Sequence, residues 1–282
     1  MERLLACIDA SVYATSVTDH AAWAAQRLGA GAGVELLHVL QRNDAISARH
    51  DLSGAVGLGA KSSLLEELVT IDEAEAKLAK ERGRLLLEAA EVRLREAGLN
   101  NVESTHRHGG IVETVVEREE HSDLVVIGKR GASSGFAKAH LGSKVERVVR
   151  ESIRPVLVAS REFKPIERVL VAYDGGASAR SAVDLVASSP LFHGLEIHLV
   201  IVGRANATRE SALRVAAERL PNATCEIVDG EPEDALPREL EVRSADLLLM
   251  GAYGHTPLRR LIVGSLTTAM MQRCRVPVLL FR

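Results

Sequence analysis

The strongest constraint on this 282-residue chain is that it repeats itself. Arg3-Leu-Leu-Ala-Cys-Ile-Asp9 returns as Arg168-Val-Leu-Val-Ala-Tyr-Asp174, 165 positions later. Val34-Glu-Leu-Leu-His-Val39 matches Leu195-Glu-Ile-His-Leu-Val200 at an offset of 161, and Asp123-Leu-Val-Val-Ile-Gly128 matches Asp246-Leu-Leu-Leu-Met-Gly251 at 123. Gly142-Ser143 and Pro155-Val-Leu-Val return as Gly264-Ser265 and Pro277-Val-Leu-Leu at 122. Four blocks in one order are a duplication, and such internal similarity decides the architecture before any single motif does. The falling offsets make the second copy shorter by four residues around its first helix, by 38 between its second and fourth strands, and by one before the Gly-Ser pair. The expected domains are 1–161, with a helical insertion at about 41–98, and 167–282, joined by a bridge around Pro165.

Each copy alternates short apolar runs with helical stretches. Leu4–Ile8, Val34–Leu40, Leu124–Ile127 and Val156–Ala159 read as strands buried on both faces, as a parallel sheet requires. Tyr13–Leu28 is alanine-rich and stops at Gly29. Residues 62–97 stop at Gly98 and carry Leu64, Leu68, Ile71, Leu78, Leu85 and Val92 at near-heptad spacing, a row expected to pack on a sheet. With right-handed crossovers, the βαβαβαβαβ order implies an α/β fold of two tandem, doubly wound parallel sheets.

Composition narrows the function. Lys plus Arg number 35 against 38 acids, a net charge of −3, so no global basic surplus meets a nucleic-acid backbone or an anionic membrane. Aromatics at 3% are too few for base-stacking platforms. No apolar window approaches a membrane span, and the first apolar run is too short for a secretory signal. The three cysteines lack metal or disulfide spacing and are expected as buried apolar residues in a reducing cytoplasm.

In open parallel sheets ligands bind beyond the carboxyl ends of the strands, where strand order reverses. Asp9 and Asp174 end the first strand of each copy, and a glycine-rich segment leaves each fourth strand. In copy two this segment runs Gly251-x2-Gly254-x9-Gly264-Ser265, followed by an expected helix from Leu266 to Arg273. Glycines admit an anion close to the backbone, and the helix start offers unpaired N–H groups. An ordinary βα connection with a serine N-cap is the plainer alternative.

These motifs resemble the universal stress protein family in its tandem-domain form, over nearly the whole chain. The resemblance implies a five-stranded Rossmann-like sheet of order 3-2-1-4-5 in each half, binding ATP with or without Mg²⁺. Carried over by position, Asp174 would contact ribose or metal and Val200 the adenine. Gly251 and Gly254 would line ribose and phosphates, and Gly264, Ser265 and Leu266 would bind phosphates. The counterparts in copy one would be Asp9, Val39, Gly128, Gly131, Gly142 and Ser143, but ten residues instead of nine separate Gly131 from Gly142. The basic residues Lys129, Arg130, Lys138, His140 and Lys144 would favour an anion there. The family also implies pairing of the two copies through their last strands, an internal pseudo-dimer, with homodimerisation of the whole chain as a further option.

Three other patterns compete. Gly131-Ala-Ser133-Ser-Gly135 imitates a hydrolase elbow, but Lys129 and Arg130 separate it from its strand. Gly54–Ser62 approaches a P-loop with its lysine displaced by one. His106 and His108 share one face of a strand but lack a clear third metal ligand. The expected function is an adenine-nucleotide-binding stress-response protein of the cytoplasm with at most slow ATP hydrolysis. The alternative is an interaction protein with vestigial pockets, its long copy-one helix serving as the docking surface.

Overall fold

The computed structural model describes residues 1–40, 60–131, 143–252 and 265–282. The first half contains β1 (Arg3–Cys7), α1 (Ala14–Leu28), β2 (Gly33–Leu40), α2 (Ala60–Glu96), β3 (Val102–His108), α3 (Ile111–Arg118), β4 (Leu124–Gly128), α4 (Ser143–Glu151) and β5 (Val156–Ala159). The second contains β6 (Arg168–Ala172), α5 (Ala177–Ser188), β7 (Glu196–Val202), α6 (Ala207–Arg219), β8 (Thr224–Val228), α7 (Pro232–Val242), β9 (Leu247–Gly251), α8 (Ser265–Arg273) and β10 (Val278–Phe281).

All ten strands join one sheet of order β3-β2-β1-β4-β5-β10-β9-β6-β7-β8. Each half has order 3-2-1-4-5 with every pairing parallel. The halves meet antiparallel, Val158 opposite Val278 and Val156 opposite Leu280. The β5 and β10 edges therefore close on each other, leaving β3 and β8 as the outer edges. On β3, Glu103, Ser104, Arg107 and His108 are exposed, polar groups that discourage further strand pairing.

Alternation along the strands divides the core into two layers. Leu4, Ala6 and Leu36 pack with Val17, Ala21 and Ala25 of α1 and with Leu87, Ala90 and Leu94 of α2. Leu5 and Leu37 face the other way, in a layer with α3, α4, α7 and α8 that includes Val115, Val148, Leu236 and Met270. Glu35 is buried on β2 but held by Arg118, with Nε 2.8 Å and Nη2 2.6 Å from Oε1. Helix α1 stops at Gly29, whose φ of 106° suits a residue without Cβ and whose N–H closes on the Ala25 carbonyl.

Two expectations need correction. The near-heptad row of α2 does not pack on the sheet: Ile71, Leu78, Leu85 and Val92 are 48%, 50%, 51% and 53% exposed. Instead Gly83, Leu87, Ala90 and Leu94 are buried where α2 crosses β2 and β3. Positions seven apart share a helix face, but so do 83, 87, 90 and 94; periodicity alone cannot say which face meets the sheet. The side chains of Leu64 and Leu68 lie outside the described residues. Strand register also revises the second offset. Arg3 pairs with Gly33 and Arg168 with Glu196, which aligns β2 with β7 at 163 and makes Val202, not Val200, the counterpart of Val39. A two-residue slip preserves the in–out alternation, so the sequence match could not detect it.

Beside the strand seam Arg27 Nε donates to the Leu191 carbonyl of the second half at 2.5 Å, and within the first half Ser16 Oγ donates to the Ser160 carbonyl at 2.8 Å. Next to Ser16, His20 is fully buried, with Nδ1 2.7 Å from the Ser16 carbonyl and Phe163 edge-on at 5.0 Å. Burial holds its imidazole below the usual 6.5. The unfolded chain therefore binds this proton at higher pH than the folded one, so stability is present above about 6.5 and falls as pH drops below it. His20→Phe is expected to flatten that part of the stability-versus-pH curve in urea unfolding between pH 7 and 5. An unchanged slope would remove His20 as its source.

Candidate functional site

Each half holds one cavity at the carboxyl ends of its central strands, where the first strand lies between the second and fourth and the chain leaves in opposite directions. The first cavity, of about 250 Å³, is lined by Asp9, Val39, Gly128, Gly131 and Lys144, among others. The second, of about 190 Å³, is lined by Asp174, Val200, Val202, Gly251 and Leu266, among others. The folding thus brings eight of the thirteen residues expected from sequence to the walls of the two cavities.

The two aspartates occupy the same local turn. Asp9 Oδ1 accepts the Ser11 N–H at 3.1 Å, and Asp174 Oδ1 accepts the Gly176 N–H at 2.7 Å. Such Asx turns fix a carboxylate at the strand end while the chain turns into its helix. Opposite them, α4 begins at Ser143 and α8 at Ser265, and Lys144 and Leu266, one residue into these helices, line the cavities. Each cavity therefore joins a strand-end carboxylate to a helix N-terminus, the end that favours an anion. Gly142, Gly254 and Gly264 lie outside the described residues, as do Ser133 and residues 54–59 of the P-loop-like stretch.

The glycines differ in what they permit. A Cβ on Gly128 would stand 2.6 Å from Tyr13 Cβ, so this glycine lets α1 approach β4. A Cβ on Gly131 would meet Asp9 Oδ2 at 3.1 Å, inside the cavity. On Gly251 it would meet Ser178 Cβ at 3.1 Å. Val39 and Val202 are both half-buried at the ends of their strands, whereas Val200 is fully buried and its carbonyl accepts the Tyr173 N–H at 2.9 Å.

Lys129, grouped with the basic residues of this loop, turns away from the cavity. It is buried at the seam, where Nζ donates to the Cys274 carbonyl, and burial lowers its pKa to about 8. It serves the junction of the halves. The sequence reading also missed several cavity residues. His38 lines the first cavity and is fixed by Nδ1 at 2.7 Å from the Ile8 carbonyl. Thr208 and Arg209 line the second, carried by α6 behind its Asn206 cap, whose Oδ1 accepts the Arg209 N–H at 2.9 Å. Asn206 three residues before Arg209 was the available signal, but it marks a helix start without showing what the helix faces.

Burial raises the pKa of all three thiols, Cys274 to about 11, so Cys7 borders the first cavity as a protonated, unreactive group. His106 and His108 stack at 6.2 Å with their rings 9° apart, and His38 stands 5.1 Å from His106. Among the described residues no group of three His, Cys, Asp or Glu side chains is arranged to hold a metal ion. No helix among them is long and apolar enough to cross a membrane.

A family model described as the universal stress protein family matches residues 1–160 and 202–282. The chain belongs to the universal stress protein family. Universal stress protein Slr1230 of Synechocystis is 35% identical over 291 residues, covering all of both chains. A universal stress protein from Archaeoglobus fulgidus, 22% identical, superposes with a TM-score of 0.73 over 99% of this chain and 95% of its own. A second, from Pseudomonas aeruginosa, is 16% identical with a TM-score of 0.65 over 99% of this chain and 92% of its own. At these identities the two structures establish the tandem α/β fold of this universal stress protein and nothing about its ligands.

The close approach of α1 to β4 has a measurable consequence. Gly128→Ala is expected to destabilise the protein by about 1–3 kcal/mol through overpacking against Tyr13. Gly131→Ala, facing the cavity, should cost less. Urea midpoints in the opposite order would overturn these assignments.

Proposed function

We propose that this universal stress protein binds an adenine nucleotide, ATP alone or with Mg²⁺, in one cavity of each half, and holds it rather than turning it over. The observation that carries this reading is the recurrence, in both halves, of a strand-end aspartate facing the start of a helix across one cavity. In copy two, the helix start follows the complete G-x2-G-x9-G-S spacing. The described residues fit such a ligand in their chemistry. Helix N–H groups would take phosphate oxygens, and the half-buried ends of β2 and β7, at Val39 and Val202, offer backbone edges for the base. Asp9 and Asp174 would take the ribose or a magnesium ion.

Magnesium, when bound, would neutralise phosphate charge. It usually keeps several waters and relies on one or two carboxylates plus phosphates, a demand that a single aspartate per site meets. Gly131 and Gly251 leave the cavity wall without side chains where the chain leaves β4 and β9. In the first cavity Lys144 and Arg130 add positive charge; in the second Arg209 is the corresponding base. Among the described lining residues the carboxylates are Asp9 and Asp174, one per cavity, which this reading gives to ribose or magnesium, and that supports retention over hydrolysis. The volumes of about 250 and 190 Å³ fall below the ~300 Å³ of drug-sized sites, so the described walls enclose only part of a nucleotide.

Denaturing the purified protein and separating the supernatant by anion exchange is expected to release adenine nucleotide. ATP with Mg²⁺ should stabilise the nucleotide-free protein by about 2.7 kcal/mol per occupied site at a hundredfold excess over Kd. Gly264→Val, within the G-x2-G-x9-G-S spacing, should remove the copy-two share. No released nucleotide together with no thermal shift would sink the proposal.

A further inference from the structure

We propose that the cavity at the seam of the two halves is a ligand site of its own, holding a small organic phosphate on a cluster of bases. The cavity, of about 420 Å³, exceeds both strand-end cavities and lies within the usual range for small-molecule sites. It sits where the carboxyl ends of β4 and β5 meet the turn between α8 and β10. Five bases line it: Lys129 and Arg130 follow β4, Arg161 and Lys164 follow β5, and Arg275 precedes β10. Two acids, Glu162 and Asp246, leave the bases in a surplus of three. The two halves and the bridge between them all contribute, so only the fused chain assembles this wall.

The protein does not meet this charge itself. Elsewhere arginines find carboxylates: Arg93 pairs with Asp19, Arg118 with Glu35, Arg219 with Asp184 and Arg273 with Asp234. Among the described residues, the side chains of Arg161, Lys164 and Arg275 make no hydrogen bond and no ion pair. Asp246 is already engaged, its Oδ2 accepting the Glu167 and Arg168 N–H groups at 3.1 and 2.9 Å. Lys129 lies deepest, 9% exposed, and its Nζ donates to the Cys274 carbonyl without reaching a carboxylate among the described residues. An ammonium has three donors. A buried charge left without a counter-ion is costly, and an anion in this cavity would supply one. The lowered pKa of Lys129 has the same origin, a charge withdrawn from water beside Arg130.

The cluster is not a by-product of the duplication. The offset of 123 that carries Gly128 to Gly251 puts Ala252 in the place of Lys129. The offset of 122 that carries Pro155 to Pro277 puts Ile153 in the place of Arg275. The equivalent point at the other end of the seam thus holds a buried alanine and an exposed isoleucine. Strand pairing is satisfied there without either base.

The donors indicate the ligand. Three guanidinium groups suit phosphate oxygens, which they can take in pairs, and a surplus of three asks for more than a single carboxylate charge. Tyr13, Met271, Val276 and Pro277 complete the wall and suit a small uncharged body beside the phosphate.

Arg130 also lines the first strand-end cavity, whereas Arg161, Lys164 and Arg275 line neither strand-end cavity and therefore isolate the seam. Inorganic pyrophosphate is titrated calorimetrically into the nucleotide-free, full-length protein. The variant Arg161→Gln/Lys164→Gln/Arg275→Gln is expected to take up one pyrophosphate fewer per chain than the wild type, with ATP uptake in dialysis unchanged. Lys77→Gln/Lys80→Gln/Arg82→Gln removes the same charge from exposed positions on α2 and should change neither. All six positions are exposed, so melting temperatures should hold. Failure of ATP to bind would sink the strand-end reading alone, since the contrast between the two variants still decides this one. No pyrophosphate binding by the wild type, equal uptake by the two variants, or tighter binding of citrate than of pyrophosphate would overturn the proposal.

Discussion

The antiparallel pairing of β5 with β10 is the contact on which the rest of the architecture depends. Each half alone would end its parallel sheet in an exposed apolar edge, Val156–Ala159 or Val278–Phe281, with unpaired backbone groups. Joining the edges satisfies both and makes one ten-stranded sheet. Because every other pairing is parallel, this single reversal turns the strands of one half against those of the other. The carboxyl ends, and with them the two cavities, lie at opposite ends of the strand direction. Arg27 and Lys129 reinforce the junction through carbonyls that a chain turning or leaving a helix would otherwise leave unpaired.

Much of this was readable from the amino-acid order because the repeat and the punctuation agree. Gly29 stops α1, the Pro277-led run forms β10, and Asp9 and Asp174, expected to end strands, stand two residues beyond β1 and β6. Register was less legible. Val200 and Val202 have the same polarity and alternate to the same side, so only the pairing of β6 with β7 separates them. The direction in which α2 faces was also hidden, since it has apolar residues on two sides and the sheet selects the side containing Gly83. Lys129 looked like one more base of an anion-binding loop. Its aliphatic stem instead follows the buried end of β4 into the seam, and that depends on where the second half lies.

The duplicated cavities keep the same strand-end turn, but their basic residues come from different elements: α4 and the end of β4 in the first half, α6 in the second. The α2 helix has no long counterpart in the second copy, where β7 and β8 are connected by the 13-residue α6. The chain thus repeats the cavity in both halves and lengthens one helix in the first.

Equilibrium dialysis of the nucleotide-free full-length protein against labelled ATP and Mg²⁺ tests the central claim most directly. The account predicts saturation at two nucleotides per chain, falling to one when Asp9 or Asp174 is replaced by alanine and to none when both are. Saturation at zero, or a stoichiometry insensitive to both aspartates, would contradict it.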